Sequence, residues 1–140
     1  MTITKLNPYL NFNGTAAEAI ALYERALGAK SGTVMRFGDM PDMKIPDDQK
    51  ERVMHAALEI GAGVVMISDA MGDTIVPLGG NVQVSLDFDD VADMTTKFDA
   101  LAVGGKVAFP LHDAFWGAKF GMLTDAFGIE WMFSCTQKPA

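Results

Sequence analysis

The spacing of apolar side chains changes along the chain, and between residues 15 and 28 it has a helical period. Apolar residues there recur at steps of three and four, at Ala19, Ile20, Tyr23, Ala26 and Leu27. Thr15 followed by Glu18 has the form of a capping box, and Gly28 supplies a left-handed C-terminal residue. The pattern therefore predicts a helix from Thr15 to Gly28.

Segments with strand-like composition surround this helix. We predict strands at residues 4–12, 32–37, 54–60 and 64–68. Gly61-Ala62-Gly63 is typical of a tight hairpin between the last two strands. Residues 38–52, which include Pro41 and Pro46, are predicted to form a polar loop, either a solvated connection or a lid.

The same order of elements begins again after a linker rich in glycine and proline. A strand at residues 82–88 leads to Asp89-Asp90, a good N-cap. A helix follows with Val91, Met94, Phe98 and Leu101 on one face, and Gly104-Gly105 ends it. Strands are then predicted at residues 106–111, 118–124 and 129–135.

The two halves superimpose in sequence. A shift of 76 residues places Leu10 on Leu86 and Gly28 on Gly104, and by the last strands the shift is 66, with Met66 on Met132. Each half is a strand, a helix and three strands, so we predict an α+β fold of two tandem βαβββ modules whose mixed sheets pair into a cup. Residues 1–140 are expected to form one domain, with module one at 1–70, a linker at 71–80 and module two at 81–140.

Strand alternation assigns side chains to the two faces of each sheet. We expect Leu6, Leu10 and Phe12 to face the first helix. Every second residue from Val82 to Phe88 is expected to face the second helix. The opposite, cup-facing set is then Asn7, Tyr9, Asn11, His55, Ala57, Glu59, Met66, Ser68, Gln83, Ser85, Asp87, Met132 and Ser134.

Composition narrows the class of partner. The net charge of −7, without a basic cluster, argues against nucleic acid. Apolar runs are far shorter than the roughly 18–20 residues of a membrane span, and the first residues do not resemble a secretory signal, so we expect a cytoplasmic protein without a membrane partner. The 49% hydrophobic content suggests apolar surface in a pocket or a subunit interface. The single Cys135 is interpreted as a small buried hydrophobe rather than a reactive thiol.

Several motifs, in order along the whole chain, resemble PhnB-like proteins. They are Asn-Pro-Tyr-Leu-Asn-Phe-Asn-Gly at residues 7–14 and the segments 23–28, 36–41, 54–60, 115–125 and 127–132. PhnB-like proteins are a branch of the vicinal-oxygen-chelate (glyoxalase/bleomycin resistance/dioxygenase) superfamily. The resemblance implies paired βαβββ modules and a homodimer. Some relatives carry a ubiquinone-methyltransferase label, but this chain has no glycine-rich loop that would support methyl transfer from a SAM-type donor.

The resemblance also locates the metal-ligand positions of the superfamily. In its metal-dependent members, such as glyoxalase I, ligands stand on the first and last strand of each module, and here those positions are Asn7, Met66, Gln83 and Met132. None is a histidine or a carboxylate, and a register slipped by one residue gives Pro8 and Val84. Because thioethers suit only soft metals, we expect no metal site and no cofactor.

Two histidines remain as candidates for chemistry. His55, on the cup face near Tyr9, is a candidate general base or ligand hydrogen-bond donor, or alternatively a buried neutral histidine satisfied by a backbone carbonyl. His112 is either a surface or rim residue or a pocket residue. The predicted ligand-binding set is Tyr9, Asn11, Arg36, His55, Met66, Ser85, Phe115, Trp116, Phe120, Met122 and Met132, in which Arg36 is an anion contact.

Three hypotheses about function follow. The first is a metal-independent protein that binds a small, partly apolar molecule, for which the acidic balance favours a cation. The second is a metal-dependent or His55-assisted lyase, isomerase or dioxygenase of the glyoxalase type. The third is a structural dimer with a filled cup.

Overall fold

A computed structural model of the protein describes residues 2–41 and 44–136, and these divide into two units. Unit 1 is Met1–Pro77 and unit 2 is Leu78–Ala140. Each unit has a helix packed on a mixed sheet and follows the order strand, helix, strands. The α+β fold of two βαβββ modules is thus confirmed, and the boundary between the units falls inside the predicted linker.

Over its described residues, unit 1 contains one α-helix, five strands and two single-turn 3-10 helices, at Phe37–Asp39 and Asp47–Gln49. The α-helix and the strands are β1 Tyr9–Phe12, α1 Ala16–Leu27, β2 Lys30–Ser31, β3 Met35–Arg36, β4 Val53–Ile60 and β5 Gly63–Asp69. The sheet order is β1-β5-β4-β2, and β3 also pairs with β4. β1 runs parallel to β5, with Tyr9 opposite Met66 and Asn11 opposite Ser68. The β4–β5 hairpin has the tight turn expected at Gly61, where φ is +56°.

Helix α1 follows the predicted period but begins in a different way. Its C-cap is Gly28 in the left-handed conformation, as expected. The predicted capping box is wrong, because the Thr15 side chain makes no capping hydrogen bond. Asp69, at the end of β5, provides the acceptor instead: its Oδ1 accepts from the backbone N–H groups of Gly14 (2.9 Å) and Ala16 (3.0 Å). A buried carboxylate 53 residues away therefore fixes the start of the helix.

Unit 2 repeats the plan with one helix and four strands. They are β6 Val84–Phe88, α2 Val91–Ala102, β7 Lys106–Asp113, β8 Ala118–Thr124 and β9 Glu130–Thr136. The order is β6-β9-β8-β7, with β6 parallel to β9 and both hairpins antiparallel. The predicted N-cap is confirmed, since the Asp90 side chain accepts from the Ala92 N–H at 3.0 Å.

The core of unit 2 lies between α2 and the sheet. Met94, Phe98 and Leu101 of the helix are buried, as are Trp131 and Phe133 of β9. Phe98 and Phe133 meet edge to face with ring centroids 5.1 Å apart. Cys135 is also buried, as expected. Burial of these apolar side chains stabilises the unit and leaves the other face of the sheet without its own helix.

Both first strands are shorter than predicted. β1 begins at Tyr9 and β6 at Val84, so Leu6 (88% exposed) and Val82 (77% exposed) lie outside the sheets and under neither helix. Pro8, which has no N–H to donate, immediately precedes β1. The strand predicted at residues 32–37 is wrong for most of its length, because only Met35 and Arg36 are in a strand. The chain pairs with β4 at β2, before this segment, and again at β3, after an interruption of three residues.

The linker after β5 is hydrogen-bonded to unit 1 by side chains. The Asn13 amide exchanges two hydrogen bonds with the backbone of Val76, at 2.8 and 3.0 Å. Gln49 does the same with Gly72, at 2.9 and 3.1 Å, and Arg52 donates to the Ala70 carbonyl. Ala70, Gly72 and Val76 therefore have side-chain partners for their backbone groups without belonging to a strand. Neither described helix is long and apolar enough to cross a bilayer.

Candidate functional site

Each sheet has one face covered by its helix and one face that carries the polar and sulfur-containing side chains. In unit 1, Leu10 and Phe12 of β1 are buried toward α1, while Tyr9 and Asn11 alternate to the other side. Met66 and Ser68 lie directly opposite them on β5. The structure thus brings Tyr9, Asn11 and Met66 of the predicted set onto one face.

His55 joins this face through a hydrogen bond to Tyr9. The Ala56–Ile67 register places the preceding residue, His55, beside Ser68. From there its Nδ1 lies 3.0 Å from the Tyr9 Oη, and the rings meet edge to face at 5.8 Å. With a neutral imidazole protonated at Nε2, the phenol donates to Nδ1 and leaves the Nε2–H for a ligand. His55 is half-buried and its partner is a phenol. The structure therefore does not show the predicted alternative of a buried histidine held by a backbone carbonyl.

Arg36 lies away from this face, at the edge strand β3. Its guanidinium Nη1 donates to the Glu51 carbonyl, and its backbone N–H donates to Asp39 at 3.0 Å. Both contacts fix the arginine to the loop that follows it. Further along that loop, the Lys50 ammonium donates to Asp47 at 2.8 Å and holds the pKa of this exposed carboxyl below its usual range. The anion contact predicted for Arg36 stays a prediction.

Cross-strand pairing in unit 2 arranges its uncovered face in rows. The methionine row runs from β6 to β7 as Ser85, Met132, Met122 and Phe109. The next row along the strands, here called the histidine row, is Asp87, Ser134, Phe120 and His112. Two register shifts in β7 place Phe109 and His112 on the same face although they are three residues apart. Ser85, Met122, Met132 and Phe120 of the predicted set therefore lie together.

Trp116 and Phe115 project from the turn between β7 and β8. The turn is closed by hydrogen bonds from the Gly117 N–H to the Ala114 carbonyl and from the Ala114 N–H to the Ala118 carbonyl. Trp116 contacts Phe120 edge to face at 5.4 Å and remains 55% exposed. Phe115 meets Trp116 edge to face at 5.1 Å and is 97% exposed. Trp116 thus extends the histidine row beyond Phe120. Phe115 is the more exposed of the two rings.

His112 is exposed, as predicted by the alternative of a surface or rim residue. Its Nδ1 lies 2.8 Å from the Pro110 carbonyl oxygen. Because a carbonyl only accepts, Nδ1 carries the proton, and in the neutral ring Nε2 is a hydrogen-bond acceptor. Its ring meets Phe120 at 6.0 Å with perpendicular planes.

The four positions implied by the metal-dependent relatives present amide and thioether groups. Asn7 and Gln83 precede their strands, and Met66 and Met132 stand in the last strand of each module, β5 and β9. This donor set does not fit a divalent ion of the glyoxalase type, which needs imidazole or carboxylate ligands. Within residues 2–41 and 44–136, no three His, Cys, Asp or Glu side chains lie close enough together to hold an ion.

Sequence reasoning missed two residues of these faces. Phe109 enters the methionine row only because β7 is bulged, and Met35 lies opposite His55 through the β3–β4 pairing. Bulges shift the alternation of faces, and Pro110 within β7 was the one sequence signal that could have indicated the irregularity there. Phe109 and Met35 enlarge the apolar part of each face.

Comparisons with known proteins agree with this architecture. The family model of the Glyoxalase/Bleomycin resistance protein/Dioxygenase superfamily matches residues 5–133. Protein YjdN of Escherichia coli (strain K12) is 34% identical over 145 residues, which covers 95% of this chain and 96% of YjdN.

Two solved structures extend the comparison. Protein PA1353 from Pseudomonas aeruginosa is 39% identical with a TM-score of 0.86, over 97% of this chain and all of PA1353. A Bacillus cereus protein named putative 3-demethylubiquinone-9 3-methyltransferase, PhnB protein, is 22% identical with a TM-score of 0.79, over 95% of this chain and 100% of that protein. The second shows a shared fold and supports the PhnB-like interpretation. The chain therefore belongs to the glyoxalase/bleomycin resistance protein/dioxygenase superfamily.

Proposed function

We propose that this protein binds a small, partly apolar molecule against the uncovered sheet faces of its modules, without the metal chemistry of the superfamily. The observation that supports this most directly is the composition of the methionine row. Met132 and Met122 lie side by side with Phe109 on a face that α2 does not cover, and the hydroxyl of Ser85 ends the row. Thioether side chains adapt to irregular ligands, and a few polar groups orient them.

The donor chemistry of the inherited positions favours binding over metal-dependent catalysis. Two thioethers and two amides cannot replace the imidazole and carboxylate ligands that a borderline divalent ion requires. A substrate that needs two oxygens polarised by an ion would find no such ion held by these residues. We therefore assign the faces to recognition of a ligand.

A metal and ligand screen tests this proposal. Protein purified without chelator is measured by elemental analysis, and its melting temperature is then recorded with added divalent metals and with a library of small molecules. We expect a substoichiometric metal content and a ligand-dependent rise in melting temperature without metal, because a ligand that binds only the folded state stabilises it. A stoichiometric first-row transition metal that survives dialysis would overturn the proposal.

A second candidate function rests on the Tyr9–His55 pair. A histidine oriented by a phenol at 3.0 Å is a plausible general acid–base for a lyase or isomerase reaction. This candidate requires turnover that His55→Gln abolishes while ligand binding persists. Binding without turnover by the wild-type protein favours the first proposal.

The subunit arrangement belongs to the same proposal. We infer a homodimer, as the resemblance to PhnB-like proteins implies, and the exposed apolar Val107 of the edge strand β7 supports an apolar contact there. Analytical ultracentrifugation with and without a ligand found in the screen would show whether binding depends on the dimer. A monomer that retains full ligand affinity would remove the dimer from the proposal.

A further inference from the structure

We propose that the uncovered face of unit 2 is selective for an organic cation, whose ammonium group is held by Asp87 and Ser134 of the histidine row and whose apolar body lies against the Phe120 and Trp116 rings. This inference rests on the proposed small-molecule-binding function and names its ligand class. The four residues of the histidine row supply aromatic faces and acceptors, and none of them is a permanent cation.

The aromatic part of the site is an edge-to-face pair. The planes of Trp116 and Phe120 are inclined at 71° with centroids 5.4 Å apart, and Trp116 is 55% exposed. In an edge-to-face pair the edge of one ring covers only part of the other ring, so the exposed part of the indole can contact the apolar body of a ligand. The turn that carries Trp116 is closed by two backbone hydrogen bonds, which gives the ring a defined position.

The polar part of the site consists of acceptors. The Nδ1–H of His112 is directed to the Pro110 carbonyl, so the neutral imidazole offers Nε2 as an acceptor. Ser134 contributes a hydroxyl, and Asp87 contributes a carboxylate at the other end of the row. An ammonium group can donate to the adjacent Asp87 and Ser134, and His112 offers an acceptor to a polar group on the ligand body, whereas a carboxylate ligand would meet a like charge at Asp87.

The charged residues on the face also favour a cationic ligand. Continuing along the strands, a third row contains Glu130, Thr124 and Lys106, so the face as a whole carries two carboxylates and one lysine. Lys106 lies two rows from the histidine row, about 13 Å along the strands, while Asp87 is in the row itself. Together with the net charge of −7, this arrangement favours a positively charged ligand.

The spacing of the row limits the size of the ligand. Asp87 and Phe120 are separated by β9, and neighbouring strands lie about 4.8 Å apart, so the carboxylate and the Phe120 ring are roughly 10 Å apart. A ligand that reaches both has an aromatic or aliphatic body and an amine at one end. Arylalkylamines have this form.

Three probes of equal size and different charge test the proposal: benzylamine, which is cationic at neutral pH, benzyl alcohol and benzoate. Trp116 fluorescence is the readout, since Trp131 is fully buried and Trp116→Phe leaves it as the background. We expect benzylamine to bind about three- to tenfold more tightly than benzyl alcohol, in line with charge-assisted hydrogen bonds at an exposed site, and benzoate to bind most weakly.

A matched pair of variants locates the charge selectivity. Asp87→Asn keeps the shape of the side chain and should remove most of the preference for benzylamine while binding of benzyl alcohol is retained. Asp99→Asn removes an equal charge from an exposed position of α2, on the helix side of the sheet, and should leave the preference intact. Circular dichroism of both variants confirms that each is folded.

The outcomes separate this inference from the proposed function. Equal affinity for the three probes would overturn the cation selectivity and leave small-molecule binding in place. Absence of binding by every probe, or benzylamine binding that survives Trp116→Phe unchanged when followed by calorimetry, would also overturn the inference. The proposed function itself fails only if the metal analysis or the ligand-dependent melting screen contradicts it.

Discussion

The Tyr9 hydroxyl lies 3.0 Å from Nδ1 of His55 across the intervening strand β5, although 46 positions in sequence separate the two residues. The contact connects β1, the first strand of the module, to the long strand β4. It gives the imidazole a fixed partner on one nitrogen and leaves the other nitrogen to a ligand. Tyr9 is therefore a positioning residue for His55.

Replacing Tyr9 with Phe should free the His55 ring without unfolding the module. The ring of residue 9 is retained and the contact is exposed, so we expect the free energy of unfolding to fall by at most about 1 kcal/mol. The ¹⁵N shifts of the His55 imidazole should change toward a mixture of tautomers, because Nδ1 loses its partner. The His112 imidazole, which is bound to Pro110, serves as the internal control. Unchanged His55 shifts would contradict a role for Tyr9 in orienting the ring.

Asp69→Asn should destabilise unit 1 strongly. The buried carboxylate accepts from Gly14 and Ala16 through Oδ1 and from the Val53 N–H through Oδ2 at 2.9 Å. An asparagine directs an NH₂ group at one or more of these donors, and we expect a loss of about 2–4 kcal/mol in the free energy of unfolding. Urea denaturation measures it.

Asp73→Asn is the control for this prediction. It removes the same charge from an exposed position of the linker and should change stability by less than about 0.5 kcal/mol. Equal effects of the two substitutions would mean that net charge, rather than the three hydrogen bonds, explains the loss.

Local rules predicted much of the fold, and the exceptions arise from contacts distant in sequence. The periods of both helices, the left-handed Gly28, the Asp90 cap and the tight hairpin at Gly61 depend on neighbouring residues, and the structure confirms them. Thr15 satisfies the same local rule but is replaced as a cap by Asp69, which only the folded sheet brings near. A capping motif in sequence cannot exclude a better acceptor from another strand.

The candidate site was predictable to the extent that strand alternation held. Tyr9, Asn11, His55 and Met66 share a face because β1, β4 and β5 keep their register. Phe109 and Met35 were missed because β7 and the β3–β4 pairing contain register shifts. The hydrogen bond that orients His112 also comes from the bend of β7 at Pro110. Bulges change the face of every later residue, and Pro110 marks the irregular part of β7 in the sequence without fixing which residues change face.

Gly105→Ala should destabilise unit 2 through a backbone clash. A Cβ at this position would lie 2.2 Å from the Thr124 carbonyl oxygen and 2.8 Å from the carbonyl carbon of Asp125, so the start of β7 must move away from the end of β8. We expect a loss of about 1–3 kcal/mol, as for overpacked sites, measured as a lower urea midpoint. The matched substitution Gly32→Ala meets nothing within 4 Å and should be neutral or slightly stabilising. Similar midpoints for the two variants would show that the close approach at Gly105 relaxes without cost.

Asn13→Ala should loosen the linker and leave the sheet of unit 1 intact. The Val76 N–H donates to the Asn13 Oδ1 at 2.8 Å, and the Val76 carbonyl accepts from Nδ2 at 3.0 Å, so the amide of Asn13 replaces a strand partner. Without it, the Val76 N–H should exchange about three- to tenfold faster with solvent deuterium, the equivalent of one modest net hydrogen bond. Amides of β5 keep their ladder partners and should exchange at the wild-type rate.

Asn81→Ala provides the control for linker exchange, because Asn81 is exposed and lies in unit 2. It should leave the Val76 rate unchanged. If Asn13→Ala also leaves that rate unchanged, then Gln49 and Arg52, which bind the linker at Gly72 and Ala70, are sufficient to hold it. If instead β5 exchanges faster together with Val76, the linker and the sheet open as one cooperative unit, and Asn13 stabilises the whole module rather than the linker alone.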